Sequence, residues 1–388
     1  MNVLILGRLH SLELKNAVIS FKNIGYDIVV VNTSRNYLPI NIVEFNLNIP
    51  IINLYGNIKY RSSFIHRIRK FLILCGISRG GRLKYKLISI FKDYDIDFIY
   101  ALWGTNALIE IKLIQNINNN VPIFYNYLTY PTREMNYKNT IVNYFLNKII
   151  LKIDGHILAS HYMKEFMYKI HNINLNKAVI HPSFYSNNYK YKNKFIKISS
   201  LPTSSPNIIY IGTTKFEGRL IDDVRLSIAN IAHQQINIYV PESKCKFPDS
   251  DYLHFYKKID SIALARGELA AFMSKFDASI ILYNFSIKAI PKERFKNSIP
   301  SRFFFSLISG LPILIEKDYL LSCEDFISRY KNGIIYNDFI DLNNKLKDIS
   351  LINEIQINAR SLSDMFTFEN SYPDLEKFIL SIISSTRR

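Results

Sequence analysis

Residues 297–316 read Asn-Ser-Ile-Pro-Ser-Arg-Phe-Phe-Phe-Ser-Leu-Ile-Ser-Gly-Leu-Pro-Ile-Leu-Ile-Glu. Pro300-Ser301-Arg302 opens an apolar helix of about two turns. Gly310 ends that helix, Pro312 bars its continuation, and Ile313-Leu314-Ile315 reads as a buried strand. The start of a helix leaves backbone N–H groups unpaired and carries partial positive charge. With Ser301 and Arg302 beside it, this start is an anion site suited to phosphate. The plainer alternative is an ordinary helix-to-strand connection whose Gly and Pro only shape the turn, so the remainder of the chain must decide.

Outward from this stretch, a strand–helix rhythm occurs twice. In the first half, strands are expected at Asn2–Leu6, Asp27–Val31, Asp97–Leu102, Val121–Tyr127, Gly155–Ala159 and Ala178–His181. Helical patterns separate them, at about 11–23, 107–117, 142–151 and 162–170. The polar, basic, Pro- and Ser-rich residues 187–206 break the rhythm and read as a linker. It then restarts with strands at Asn207–Ile211, Ile236–Val240, Leu253–Phe255, Ala278–Tyr283, Ile313–Ile315 and Gly333–Tyr336. Strands joined through helices imply right-handed crossovers and parallel sheets covered on both faces. The expected fold is therefore α/β, with two Rossmann-like doubly wound domains and a cleft between them. These are residues 1–186 and 207–365, with an amphipathic tail, 366–388, docking near their interface. Such folds bind ligands at the carboxyl ends of their strands.

Composition narrows the classes. The 388 residues are 48% hydrophobic and 21% charged, which describes a folded chain and not a disordered one. Forty-nine Lys and Arg against 32 Asp and Glu give a formal charge of +17, which favours anionic partners. Three dispersed cysteines, Cys75, Cys245 and Cys323, show neither metal-ligand spacing nor an even count and read as reduced thiols of a cytoplasmic protein. No apolar run is long enough to cross a membrane, and Val3–Leu6 is too short for a signal sequence. Nucleic acid is not an expected partner, because the basic residues are spread out and no recognition motif accompanies them.

With these residues in view, the chain resembles the GT-B glycosyltransferases, and among them the retaining group often called family four. Pro300–Pro312 is similar to that group's Pro-Ser-Lys, apolar, Ala-Gly-x-Pro element. Asn207–Arg219 resembles the strand–Gly opening of its nucleotide-binding domain, and Arg329–Ile334 the approach to a closing strand. Upstream, Asp97–Gly104 and Asp154–Ser160 are similar to two acceptor-domain segments. The resemblance implies a hexosyl transfer from a nucleotide-diphosphate sugar, held by the later domain, to a glycan or lipid-linked acceptor, held by the earlier one. It also implies a retaining outcome and, by analogy, a place in bacterial cell-envelope polysaccharide synthesis.

A departing diphosphate gathers negative charge that cations and helix ends can hold without a metal. No carboxylate cluster has convincing metal spacing, so no metal and no cofactor are expected; the nucleotide-sugar is a co-substrate. The expected donor set is Gly212, Thr213, Lys215, Arg219, Ser301 and Arg302. The resemblance puts Trp103, Gly104, Tyr130 and Arg133 on the acceptor side and leaves His10 and Glu293 as catalytic candidates. Two slots depart from the family. Its ribose-binding Glu is replaced by Phe305, with Asn297 where the partner carboxylate would stand, and its sugar-contacting His by Leu128. A non-catalytic GT-B-like subunit is therefore the alternative, and an epimerase on the same fold a more distant one. His156, inside an apolar strand, reads as a core residue and His161 as a loop residue. Basic and apolar residues interleave over 59–86, from Lys59 through Arg67, Arg69 and Lys70 to Lys86, as on a surface that docks at an acidic bilayer.

Overall fold

The computed structural model describes residues 1–8, 11–34, 48–55, 63–78, 81–102, 105–118, 120–129, 137–190, 206–215, 220–243, 247–259, 263–264, 266–286 and 295–386. They form two compact units, Met1–Ser183 with Ser371–Arg388, and Phe184–Asn370.

The first unit is built on a seven-stranded sheet. Its strands are β1 (Asn2–Gly7), β2 (Asp27–Asn32), β3 (Ile51–Asn53), β4 (Phe98–Leu102), β5 (Ile123–Tyr127), β6 (Gly155–Leu158) and β7 (Ala178–Ile180). They lie in the order β3-β2-β1-β4-β5-β6-β7, every pair parallel. All five residues of β4 and of β5 are buried. Strands buried along their whole length, broken in polarity only by Asn126, belong to a sheet covered on both faces. The helix Leu12–Asn23 follows β1, and Ser11 caps it by accepting from the Leu14 amide at 3.1 Å.

The last helix, Phe368–Thr386, returns the chain to this unit. Tyr372 bonds the Tyr26 hydroxyl and packs edge-on against Phe21, centroids 5.9 Å apart, while Phe378 meets Phe124 at 6.0 Å. Gly155 makes the notch for these rings, since a Cβ there would lie 2.3 Å from the Phe124 ring.

The second unit repeats the plan with β8 (Asn207–Tyr210), β9 (Asn237–Pro241), β10 (Leu253–Tyr256), β11 (Ala278–Ile281), β12 (Ile313–Glu316) and β13 (Gly333–Tyr336). Their order is β10-β9-β8-β11-β12-β13, again all parallel. In both sheets the winding reverses beside the first strand, between β1 and β4 and between β8 and β11. That reversal opens a crevice at the strands' carboxyl ends.

The polar stretch expected to be a linker begins inside this second unit. Asn187–Tyr189 is a 3-10 turn with Tyr189 buried, and Glu369 accepts from the Ser186 hydroxyl and the Asn187 amide. Residues 191–205 lie outside the described residues.

Candidate functional site

Helix Ser301–Ile308 begins where the sequence places it. Pro300 precedes it in extended conformation, φ −70° and ψ 148°, and as N-cap residue offers the first turn no side-chain hydrogen bond. The apolar run that follows is buried from Phe303 to Ile308, which fixes the helix against β11 and β12. Ser301, the first residue, is exposed. Arg302 turns back toward the crevice beside β8. Its Nη1 donates to the Tyr210 hydroxyl at 2.8 Å, and its guanidinium carbon lies 4.4 Å from the Tyr283 ring centroid and 5.4 Å from that of Tyr210. Burial opposes its charge, but Tyr283, Tyr210 and Asp222 outweigh that and hold the guanidinium firmly protonated.

The loop after β8 comes to the same place. Tyr210 is the last residue of β8, and its hydroxyl donates to the Thr213 carbonyl at 3.0 Å while accepting from Arg302. Gly212 has φ +133°, and a Cβ there would meet the Tyr210 hydroxyl at 3.2 Å and Arg302 Cδ at 3.3 Å. Only glycine combines that backbone with that proximity. Buried Thr214 pins the loop, sharing a hydrogen bond with Ser243 and accepting the Val224 amide at 3.1 Å. Lys215 is exposed at the loop's end.

The structure therefore brings Thr213 and Arg302 together through the Tyr210 hydroxyl, with Gly212 packed against it, at the reversal point between β8 and β11, and Ser301 beside Arg302 in the chain. Lys215 belongs to the same loop, and its charge reaches Asp223. Arg219, His10, Trp103, Gly104, Tyr130, Arg133 and Glu293 lie outside the described residues.

Several residues of the cluster carried no sequence signal. Tyr210 and Tyr283 are aromatic residues at strand ends, where a packing role reads as well as a ligand role. Asp223 and Arg225 form a two-pronged pair, Nε and Nη2 each 2.8 Å from a carboxylate oxygen. Arg225's hydrogen bond holds the Asp223 carboxyl below its ordinary range. Among the described residues, no group of three His, Cys, Asp or Glu is placed to share a metal.

Phe305, in the slot where the family has a carboxylate, is 6% exposed and stacks on Tyr185, centroids 4.3 Å apart and planes 27° from parallel. Tyr189 stands at its edge. The slot is thus packed with rings. Leu128, directly after β5, is half-buried.

In the first unit, His156 sits in the core as expected, sharing a 2.9 Å hydrogen bond with the Tyr127 hydroxyl, and burial pushes its pKa down to about 3. Lys70 departs from the expectation of a membrane-facing cation. It is 8% exposed, its Nζ lies 3.8 Å from Glu110, and it rests 5.1 Å above the Tyr55 ring. The Tyr55 hydroxyl donates to the same carboxylate, whose pKa burial raises against the pull of Lys70. A buried carboxylate demands a cation, and Lys70 is the residue the helix Ser63–Leu74 offers.

No family model matches the chain, and no curated protein matches it. Solved structures do. A glycosyltransferase from Rickettsia africae is 15% identical, with 98% of each chain covered and a TM-score of 0.65. Sucrose-phosphate synthase from Thermosynechococcus elongatus is 12% identical over 99% of this chain and 100% of that one, at 0.69. HepE of Anabaena, in complex with UDP, is 12% identical over 98% and 100%, at 0.65. The chain has the GT-B fold. At these identities the likeness establishes architecture, and function must be argued from the site.

Proposed function

We propose that this protein is a glycosyltransferase that moves a sugar from a nucleotide-diphosphate donor to a glycan or lipid-linked acceptor. One observation carries the reading. At the reversal point of the second sheet, a charged guanidinium, a helix start and a glycine loop converge, which is chemistry suited to a phosphate group. HepE, of the same fold, was solved with UDP and with UDP-glucose. A phosphate that accepts from Arg302 gains a charge-assisted hydrogen bond, about 1.5–3 kcal/mol. The same bond strengthens as the diphosphate departs and its charge grows.

The finer reading is a retaining, metal-independent transfer in which Lys215 and Arg219 add cations to the diphosphate. His10, Glu293, Trp103, Gly104, Tyr130 and Arg133 would serve the reacting sugar and the acceptor. The cationic groups supply what a metal would otherwise supply, so turnover should survive EDTA unchanged. Envelope polysaccharide synthesis at the inner face of the cytoplasmic membrane is the setting we propose. Among the described residues, no helix is long and apolar enough to cross a membrane. Phe71 and Tyr85 are 40% and 74% exposed on the basic segment and offer an interfacial contact.

Calorimetric titration with UDP and GDP tests the site. Arg302→Ala should weaken the bound nucleotide by about tenfold or more in a protein that still folds, its melting temperature lowered by the loss of the Tyr210 hydrogen bond. Equal affinities in both proteins would overturn the assignment. The packed Phe305 favours one second reading, a nucleotide-free GT-B-like subunit, and absence of binding to any nucleotide would select it.

A further inference from the structure

Helix Tyr137–Ile150, between β5 and β6, is apolar on two faces. Its inner face buries Leu146, Ile149 and Ile150. On its outer face Ile141 and Tyr144, with Leu151 just beyond the helix end, are 60%, 56% and 49% exposed. A helix that covers a sheet normally turns polar side chains to water, and apolar residues all round belong to a helix with cover on every side. Single exposed apolar residues need no explanation, whereas an ordered row marks an interaction surface.

The row has a period. Ile141, Tyr144, Lys148 and Leu151 stand at i, i+3, i+7 and i+10, the a and d positions of a heptad seam. The Leu151 amide still bonds the Asn147 carbonyl at 3.0 Å, so the helical spacing holds to the end of the row. Neighbouring helices fix the seam from both sides. Gln115 donates to the Lys152 carbonyl at 3.2 Å, and His171 Nδ1 shares a 2.8 Å hydrogen bond with Asn147.

Cations gather at one end of the row. Lys148 and Lys152 are exposed, and Lys148 Nζ lies 4.4 Å from the Tyr144 ring centroid. Lys112, on the adjoining helix Thr105–Gln115, is half-buried, and burial with the charges of Lys152 and Lys148 holds its ammonium below the ordinary pKa. Among the described residues, none of the three forms an ion pair with a carboxylate. The carboxyl ends of two helices favour cations here, but they do not account for the apolar side chains alongside.

Spacing and charge select the occupant. A second copy seated face to face would bring no carboxylate to these lysines, since residues 137–152 contain none. A bilayer would have to admit Lys148 in the middle of the apolar row, where hydrocarbon opposes a charge. An amphipathic helix suits both features. Its apolar side chains enter the seam, and Glu or Asp on its flanks pair with Lys112, Lys148 and Lys152.

We propose that this outer face docks an acidic amphipathic α-helix of a partner protein, laid along Ile141, Tyr144, Lys148 and Leu151. Docking here needs no sugar transfer, so nucleotide binding serves as an independent control.

The experiment uses the full chain and a fluorescent synthetic peptide of three heptads, with Leu at a and d and Glu at e and g, read by anisotropy. The controls are the same residues in scrambled order, the peptide with Lys in place of Glu, and phosphatidylglycerol vesicles. The patterned acidic peptide should bind more tightly than either control peptide. Lys148→Glu and Tyr144→Ala should each weaken it about tenfold or more, while UDP affinity moves less than about twofold. Both residues are exposed, so the variants should melt as the parent chain does. Equal affinity for the patterned and scrambled peptides, binding of neither, or parent-like binding in both variants would overturn the proposal. Vesicle binding that both variants abolish would also overturn it, because the occupant would then be a lipid surface.

Discussion

Gly212 shows how one residue can serve both backbone and site. Its φ of +133° is reached at little cost only by glycine, and its open α-carbon faces Tyr210 and Arg302 at 3.2 and 3.3 Å from where a methyl would stand. Gly212→Ala should therefore cost about 1–3 kcal/mol of stability and push Arg302 off Tyr210. The expected readout is a melting point lowered by a few degrees and UDP affinity reduced by about tenfold. A variant with wild-type melting and wild-type affinity would contradict the geometry.

Buried histidines set a second expectation at this scale. Burial pushes His156 down to about 3, and His171 and His181 to about 4. Their folded pKa values lie below the unfolded value of about 6.5, so the fold favours the neutral form. The stability is fully present above pH 6.5 and is lost as pH falls toward 4, at up to about 1.4 kcal/mol per pH unit for each histidine. Melting temperatures from pH 7.5 to 5 should fall steeply, and His181→Gln should flatten the slope. A profile that is flat in the parent chain would remove the argument.

At the scale of elements, β13 starts on a glycine where its approach to β12 is tightest. A Cβ there would sit 2.1 Å from the Ile313 carbonyl oxygen, inside the pairing of β12 with β13. Gly333→Ala should therefore cost about 3 kcal/mol or more, well above an ordinary exposed substitution. Chemical denaturation would show it as a lowered midpoint; a shift under about 0.5 kcal/mol would mean the strand pair yields. The helix Ile349–Met365 carries a related lesson. It buries Ile352, Ile355, Ala359 and Ser363. That spacing is helical, but Ala and Ser on the buried face blunt the apolar stripe, so the sequence pattern leaves it unannounced. The three-residue β3 is quieter still, since so short a strand has no period to detect.

For the whole molecule, the last 18 residues deserve a direct test, because the chain passes through the second unit before completing the first. Tyr372, Leu375, Ile379, Ile382 and Ile383 are all buried there, at 4%, 0%, 0%, 8% and 6% exposure. At about 1.5–3 kcal/mol for each large apolar side chain, they supply a sum comparable to the entire stability of a domain. Ending the chain at Asn370 should leave the first unit unfolded or insoluble while the second unit stays folded. Amide exchange or limited proteolysis would separate the two, and full protection of β1 and β4 in the shortened chain would refute it.

The sequence by itself determined the class of fold. Unbroken Val, Ile and Leu runs separated by helical periods allow little besides parallel, two-face-covered sheets, and that is local information repeated along the chain. It also marked Gly212 as a turn and Ser301 and Arg302 as a helix start, because such turns and starts write their backbone chemistry into neighbouring residues. Tertiary structure alone decided what those groups meet. Tyr210 and Arg302 lie in different segments, Phe305 turned inward onto Tyr185, and Lys70 turned inward onto Glu110. A side chain's partner is fixed by which strand the sheet sets beside it, and strand order is a property of packing that no window of residues contains.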